Sequence, residues 1–255
     1  MAEIKPQQYK DPRPAEYFAH FHERSRTRDP NAMYELVRMV TTPVALLIYR
    51  TLPIEVDNVP ASGPVILAAN HFSNFDHFLV GAWLRRKIRF MAKSQIFGNP
   101  VMDVVYNHGG VFPIRRGHAD AEAFETVHAI MRRGGCLMIY CEGGRSRTGE
   151  LGEPRAGVGR IALETGAPVV PVAIHGSSGI RRWRRGVFPK VTIRFGEPLS
   201  FDVVEAPDRD QQQEASVKIF ARVRELYAEL ERDGRRSVIK RVREGRSSPG
   251  RPSYS

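Results

Sequence analysis

Residues 65–93 read "VILAANHFSNFDHFLVGAWLRRKIRFMAK", and this stretch holds a complete predicted strand–helix–strand unit. The apolar run 65–70 predicts a buried strand, residues 76–87 predict a helix, and residues 88–93 predict the next strand. The alternation continues through four further predicted strands, at 110–114, 136–140, 168–176 and 191–199. Strands that alternate with helices favour an α/β fold with a mixed, largely parallel sheet flanked by helices.

The segments on either side of this pattern differ in composition and predict four parts of the chain. Residues 1–31 are polar and rich in proline, which predicts an N-terminal arm. Residues 32–54 are an apolar, interfacial helical segment, and residues 55–233 form the α/β domain. Residues 234–255 are rich in arginine, serine, proline and glycine and predict a basic flexible tail.

The apolar segment 32–54 is compatible with two structures. Arg38, Pro43 and Arg50 interrupt it, so it lacks the ~20 uninterrupted apolar residues of a plain membrane-spanning helix. One interpretation is a helix that lies in one leaflet of a membrane, with the arginines reaching the headgroups. The other is a pair of soluble helices packed on the core, and the pattern alone favours neither.

Composition narrows the classes of partner. Of the 255 residues, 42% are hydrophobic, and the formal net charge is +11. That charge favours nucleic acid, anionic lipid or phosphorylated substrates, but no zinc-finger or RRM pattern is present, so no nucleic-acid partner is expected. Cys136 and Cys141 do not form a C-x-x-C pair, which predicts two buried thiols and no metal site. No secretory signal pattern is recognised at the start of the sequence.

A histidine and a carboxylate follow the first predicted strand. His71 stands at the strand exit, and Asp76 falls in the first turn of the next helix, where a carboxylate is favourable to the helix dipole. A carboxylate bonded to one imidazole nitrogen fixes the tautomer and makes the other nitrogen a better base. The alternative is that Asn70 or Ser73 caps the helix and His71 has no chemical role.

Two further strand ends carry arginine. The stretch 109–117, "GGVFPIRRG", ends with Arg115 and Arg116, whose guanidinium groups suit a phosphate or carboxylate, although a solvated turn explains them equally well. The stretch 142–147, "EGGRSR", follows the strand 136–140 and combines exposed backbone with cationic side chains, which is the composition of an anion site. It is not a Walker loop, and no G-x-S-x-G elbow is present.

The order of four blocks is more specific than any one of them. The chain contains N-H-x4-D, then G-x5-R ending at Arg116, then E-G-G-R-S at 142–146, then V-V-P-V-A-I around Pro171. Proline within a strand is typical of an edge or a bulge. Together the blocks closely resemble the glycerolipid acyltransferase family, the 1-acylglycerol-3-phosphate and glycerol-3-phosphate O-acyltransferases, over roughly residues 50–200.

The resemblance implies a role for each block. His71 would be the general base and Asp76 its orienting carboxylate. Pro171 would help to shape the acyl-donor site. The glycerophosphate site would be formed by Arg116, Glu142, Gly143, Gly144, Arg145 and Ser146. The family usually has threonine where this chain has Gly144, so the acceptor headgroup stays open.

The resemblance also implies an activity and a location. The family moves an acyl chain from acyl-CoA or acyl-carrier protein to a glycerol hydroxyl, and 1-acylglycerol-3-phosphate would here become phosphatidic acid for phospholipid synthesis. Glycerol-3-phosphate, another lysolipid or a glycolipid is the alternative acceptor. No metal or cofactor is expected beyond acyl-CoA as co-substrate. The lipid partners predict a protein on the cytoplasmic face of the cell membrane, with segment 32–54 and the basic cluster 181–185 around Trp183 as its docking face. The alternative for the cluster is a solvated turn between strands.

Overall fold

The sheet is built around β2, Val65–Ala69, whose five residues are all buried. In the computed structural model, which describes residues 10–118, 120–146 and 148–247, seven strands form one sheet in the order β1-β7-β6-β2-β5-β3-β4. The other strands are β1 Leu52–Ile54, β3 Ile88–Lys93, β4 Val111–Ile114, β5 Cys136–Tyr140, β6 Val169–His175 and β7 Thr192–Phe195.

All neighbouring strands are parallel except β6 and β7, which are antiparallel. The prediction of a mixed, largely parallel sheet is therefore confirmed. The carboxyl ends of β2, β5, β3 and β4 lie at one edge, which is where ligands bind in such sheets. In the register of β2 and β5, Ala69 lies opposite Tyr140, so the loops that follow these two strands begin side by side.

Helices cover both faces of the sheet. Alternate residues of β2 point to opposite faces: Leu67 packs with α3 and the residues after α2, and Ile66 packs with α5, α6 and α7. The helices are α1 Ala19–Thr27, α2 Ala32–Pro43, α3 Asp76–Gly81, α4 Pro100–Gly109, α5 Ala121–Arg132, α6 Gly157–Thr165 and α7 Arg209–Ser247. Cys136 and Cys141 are buried free thiols, as predicted.

The N-terminal arm is a correction to the sequence prediction over residues 10–31. This part contains α1, and Phe18 and Phe21 are buried against Phe97. Arg13 anchors the segment by donating hydrogen bonds to the backbone carbonyls of Phe97 and Ser94 at 2.6 and 2.7 Å. Residues 1–9 lie outside the described residues.

The apolar segment 32–54 is helical only in part. α2 continues into a single π-helical turn, Val44–Ile48, and the chain then enters β1, which pairs in parallel with β7. Residues 52–54 therefore belong to the sheet. The predicted start of the α/β domain at residue 55 is too late, because it leaves this strand outside the domain. The helical part is neither a spanning helix nor a helix pair.

The tail prediction is wrong for residues 235–247. Gly234 has a left-handed φ of 71°, which kinks α7, and helix then continues to Ser247. Val238, after the kink, is fully buried in a cluster with Leu226 and Leu230. Burial of this apolar side chain holds a segment whose composition is otherwise polar. Residues 248–255 lie outside the described residues.

Candidate active site

The corner between β2 and α3 brings His71 and Asp76 together. His71 Nδ1 lies 2.9 Å from Asp76 Oδ2, and the same oxygen accepts hydrogen bonds from the backbone N–H groups of Phe72 and Ser73 at 2.8 Å each. The Asp76 side chain is completely buried, whereas the His71 side chain keeps partial exposure. With Nδ1–H donating to the carboxylate, Nε2 of His71 is left as the proton acceptor.

The alternative of Asn70 as a helix cap is excluded by its bonds. Its side-chain amide donates to the Ile174 carbonyl at 3.0 Å and accepts from the Ile174 backbone N–H at 2.8 Å. Asn70 thus extends the pairing of β2 with β6 by one position. These two hydrogen bonds fix the backbone immediately before His71.

Tyr140, the last residue of β5, stacks on the His71 ring. The ring centroids are 3.7 Å apart and the planes differ by 13°. Within the described part of the chain, the buried Tyr140 hydroxyl has no hydrogen-bond partner. Burial raises the pKa of this phenol well above its usual range, so it stays protonated. The sequence suggested only a strand residue here, because the stack depends on the register of two strands.

The loop after β5 passes beside the same corner. The Ser146 backbone N–H donates to the carbonyl of His71 at 2.8 Å, which joins this loop to the base. Gly143 has a φ of 65°, and a Cβ added there would lie 2.6 Å from Arg155 Cδ. Only glycine is compatible with both this backbone conformation and the close approach of Arg155.

All six residues predicted for the glycerophosphate site line one open pocket of about 560 Å³, which we call the basic pocket. Its wall is formed by Arg116, the loop 142–146 and residues 148–155. His71 and Asp76 are not in the wall itself and lie behind the loop, connected through the Ser146–His71 bond.

The wall of the basic pocket contains three arginines, and also the carboxyl groups of Glu142, Glu150 and Glu153. Among the described residues, neither Arg145 nor Arg155 forms a side-chain ion pair. Arg116 Nη1 lies 3.4 Å from the position that a Cβ on Gly144 would take, so the missing side chain leaves room for this arginine. Arg155 was not predicted, because it follows the recognised block without a pattern of its own. Such a cluster is suited to a phosphate.

Glu142 has a structural role in this pocket. Its Oε1 accepts the Gly152 backbone N–H at 2.9 Å, which closes the loop on itself. Burial raises the pKa of Glu142, and the backbone N–H groups of Gly152 and His71 oppose that shift. The carboxyl therefore shapes the loop that carries Arg145.

A second, narrow cavity of about 100 Å³ lies between α2, α3, α4, β3 and β4, and we call it the apolar cavity. Its apolar wall includes Val37, Phe78, Phe90, Val105 and Val111. His77, the residue after Asp76, also lines it. The pair His71–Asp76 is thus linked to the basic pocket by Ser146 and to the apolar cavity by chain continuity.

Pro171 lies away from both sites. It is buried within β6, an interior strand, so the edge position, one of the two that its proline suggested beside a bulge, is excluded. Its carbonyl accepts the Gly196 N–H, and its ring faces Gly196 rather than either pocket. The strand tolerates this proline because Pro171 lies at the end of the antiparallel ladder with β7, where its carbonyl is still bonded.

Several large apolar side chains on α2 and on the segments 44–48 and 186–191 are exposed. Met39, Val40 and Leu47 are 66%, 62% and 77% exposed, and Phe188 is also exposed. Nearby, Arg182, Arg184 and Arg185 are in the 3₁₀ helix Ser177–Arg185; the side chains of Arg181 and Trp183 in the predicted basic cluster lie outside the described residues. None of the helices in the described ranges has the length and hydrophobicity of a membrane span.

Comparisons with known proteins show similarity to acyltransferases over the part of the chain that carries the candidate site. The family model described as "Acyltransferase" matches residues 54–175, which include His71, Asp76, Arg116 and the loop 142–146. The chain is 27% identical over 178 residues to the 1-acyl-sn-glycerol-3-phosphate acyltransferase of Bacillus subtilis, covering 69% of this chain and 87% of that protein. It is 30% identical over 135 residues to the chloroplast 1-acyl-sn-glycerol-3-phosphate acyltransferase BAT2 of Brassica napus.

The overlap with the chloroplast proteins is partial. The match with BAT2 covers 52% of this chain and 39% of that protein, and a match with LPAT1 of Arabidopsis thaliana covers 35% of that protein. Among solved structures, the 1-acyl-sn-glycerophosphate acyltransferase PlsC from Thermotoga maritima has a TM-score of 0.57 at 20% identity, covering 82% of this chain and 89% of that one. This similarity supports the fold.

Proposed function

We propose that the chain is a glycerolipid acyltransferase, which transfers an acyl group from acyl-CoA or acyl-carrier protein to the free hydroxyl of 1-acylglycerol-3-phosphate; the match of residues 54–175 to the acyltransferase model and the similarity to the Bacillus subtilis protein support this. The product is phosphatidic acid for phospholipid synthesis. The observation that carries the proposal is the bond between Ser146 N–H and the carbonyl of His71, because it joins the His71–Asp76 pair to the pocket in which Arg145 and Arg155 form no ion pair among the described residues.

The proposed mechanism uses each part of the site. The acceptor's phosphate binds Arg145 and Arg155, with Arg116 beside them, and this places the acceptor hydroxyl near His71. Nε2 of His71 takes the hydroxyl proton as the oxygen attacks the thioester carbonyl, and Asp76 stabilises the imidazolium. The tetrahedral intermediate expels the thiolate of coenzyme A, which receives that proton from His71. General-base assistance of this kind contributes roughly 10² to 10⁴ in rate.

The acyl chain of the donor is proposed to enter the apolar cavity. The wall is made of aliphatic and aromatic side chains, and the cavity begins one residue from Asp76. Its volume accommodates only part of a long chain, so the remainder would lie along the exposed surface of α2 and α4. Pro171 supports the sheet rather than the donor in this proposal, because it is buried near Gly196.

The same surface is proposed to bind the cytoplasmic face of the cell membrane, with membrane lipids as partners. The exposed side chains of Met39, Val40 and Leu47 would enter the interface, and the arginines of the 3₁₀ helix 177–185 would meet anionic headgroups. A basic residue near such a surface contributes about 1 kcal/mol. Because apolar residues also insert, high salt should release only part of the bound protein from vesicles.

A second group of acceptors follows from Gly144. The family's usual threonine would supply a hydroxyl at this position, and here the space is available to Arg116. Glycerol-3-phosphate, a different lysolipid or a glycolipid is therefore the alternative acceptor.

The deciding experiment is an acceptor panel with purified protein, detergent micelles and palmitoyl-CoA. Lysophosphatidate, glycerol-3-phosphate and lysophosphatidylcholine are compared, with His71→Ala as the inactive control. We expect turnover with lysophosphatidate to exceed the others. If only glycerol-3-phosphate is acylated, it is the acceptor instead of 1-acylglycerol-3-phosphate. If acyl transfer survives in His71→Ala, the proposed mechanism is refuted.

A further inference from the structure

The wall of the apolar cavity includes the imidazole of His77, which its surroundings do not explain. His77 lines the cavity, and its ring contacts Phe78 and Phe90 at centroid distances of 4.0 and 5.6 Å. Across the described residues, the His77 ring nitrogens form no hydrogen bond, and the ring is only half-buried because it faces the cavity. A hydrogen-bonding group placed there without a protein partner is available to a ligand.

Three other polar side chains in the wall are already engaged. The Thr41 hydroxyl donates to the Val37 carbonyl at 2.8 Å, and the Tyr34 hydroxyl accepts the Ile88 backbone N–H at 3.2 Å. Arg38 donates to the Leu84 carbonyl and pairs with a neighbouring carboxylate on α2. His77 therefore differs from these three side chains, whereas the Tyr106 hydroxyl, which is also in the wall, has no hydrogen bond among the described residues either.

The His77 ring is neutral at physiological pH. Burial lowers its pKa to about 4, positive charge at His71 adds to this effect, and Asp76 opposes it. A neutral imidazole has one N–H donor and one nitrogen acceptor, so it can both donate to and accept from a hydroxyl group. It also introduces no buried charge into a cavity suited to hydrocarbon.

The position of His77 limits where the ligand's polar atom can be. His77 directly follows Asp76, whose carboxylate holds His71. In the proposed function the thioester carbonyl reacts at His71, so the part of the chain beside His77 would be its first few carbons.

We propose that His77 is a specificity-determining residue that selects donors whose acyl chain carries a hydroxyl group near the carboxyl end, of the 3-hydroxyacyl class. The inference rests on the proposed function, because it takes the apolar cavity as the site of the donor's chain. An unsubstituted chain leaves the imidazole without a partner, whereas a 3-hydroxyl group provides one at no cost to the apolar contacts. A net hydrogen bond of this kind corresponds to a preference of about fivefold.

The test compares 3-hydroxypalmitoyl-CoA with palmitoyl-CoA in the full chain by two readouts. The first is the ratio of kcat/KM values for acyl transfer, and the second is the ratio of equilibrium dissociation constants. We expect the wild type to favour the hydroxylated donor about fivefold in both. His77→Leu should bring both ratios to about one, because leucine keeps the apolar contacts and removes the hydrogen bond.

Two further variants separate recognition from disturbance of the cavity. His77→Gln keeps a donor and an acceptor and should retain part of the preference. Thr41→Val alters a wall residue whose hydroxyl is already bonded, and it should preserve the ratio whatever it does to the separate rates.

The outcomes distinguish this inference from the proposed function. A binding preference that depends on His77 without any acyl transfer would refute the proposed function and leave the inference standing. Acyl transfer with equal use of the two donors, or with a preference that His77→Leu retains, would overturn the inference alone. Absence of both turnover and preference would overturn both.

Discussion

The basic pocket and the apolar cavity are constructed in opposite ways, although both adjoin the corner that holds His71 and Asp76. The basic pocket is formed mainly by one loop, residues 142–155, with Arg116 from a second strand end. The apolar cavity is formed by residues spread over three helices and two strands. A site formed by one loop leaves a continuous pattern in the sequence, whereas a site assembled from scattered apolar residues leaves none.

The largest expected effect concerns the corner shared by the two regions. Asp76→Asn should lower kcat by roughly 10² to 10⁴, because an amide cannot stabilise the imidazolium or fix the tautomer in the same way. The KM values for acceptor and donor should stay close to those of the wild type, since neither pocket is altered. Steady-state kinetics with both substrates varied provides the measurement.

Asp103→Asn is the matched control, because Asp103 also occupies the first turn of a helix and accepts a backbone N–H, that of Gly98. It should leave kcat unchanged. A large rise in either KM for Asp76→Asn would show that the corner belongs to one pocket rather than serving both.

The next effect is a loss of folding stability in acid, caused by protonation of His77 in the apolar cavity. The pKa of His77 is 6.5 when the chain is unfolded and about 4 in the fold, so the unfolded chain binds the proton first as pH falls. Stability should therefore decrease from pH 6.5 towards pH 4, by about 2 kcal/mol at pH 4.5 for this residue. Urea unfolding at pH 7 and pH 4.5 should show that His77→Leu recovers about this amount.

His22 provides an internal comparison, because burial lowers its pKa to about 4 as well. His22→Leu should recover a similar amount, and the exposed His20→Leu should recover nothing. Equal acid sensitivity in all three variants would contradict the assignment of the loss to these buried rings.

A smaller effect separates acceptor from donor. Arg145→Ala and Arg155→Ala should each raise the KM for lysophosphatidate roughly tenfold, because each removes a charge-assisted hydrogen bond to the phosphate. The KM for palmitoyl-CoA should not change. Arg236→Ala, an exposed arginine on α7, is the control and should behave as wild type. If the KM for palmitoyl-CoA rose instead, the basic pocket would bind coenzyme A, and its assignment to the acceptor would be wrong.

The smallest effect concerns chain length. Val105→Phe adds volume to the apolar cavity and should reduce turnover of palmitoyl-CoA several-fold relative to octanoyl-CoA, with the acceptor's KM unaffected. Val101→Phe on the same helix is the control, because Val101 is 73% exposed and does not line the cavity. Equal loss with both donors would argue against a chain in this cavity.

The sequence predicted most of the sheet because its strands are long apolar runs separated by glycine and polar turns. It missed β1, since Leu52–Ile54 has only three residues, includes a proline, and is a strand only through its pairing with β7. It also misjudged residues 10–31 and 235–247, where a few buried side chains such as Phe21 and Val238 hold mainly polar segments. Tertiary contacts determine the secondary structure of these segments, and their local composition does not predict it.

At the candidate site, the residues recognised from the blocks are those that lie on one loop or one corner. The residues that sequence reasoning missed are Tyr140, Arg155 and His77, and each depends on contacts between elements. Tyr140 has the pattern of an ordinary strand residue, and its neighbour across the sheet determines that it stacks on His71. His77 belongs to an amphipathic turn, and only the packing of α2 and α4 encloses it.

The pairing of Ala69 with Tyr140 has a consequence for insertions and deletions. Successive side chains of a strand alternate between faces, so removing one residue from 136–140 would turn the aromatic ring to the opposite face, and removing one from 65–69 would shift the backbone that leads to His71. In either case the imidazole would lose its stacking partner even if every residue type nearby were kept. Because these strands are buried, we expect them to accept replacements of similar volume better than any change in length.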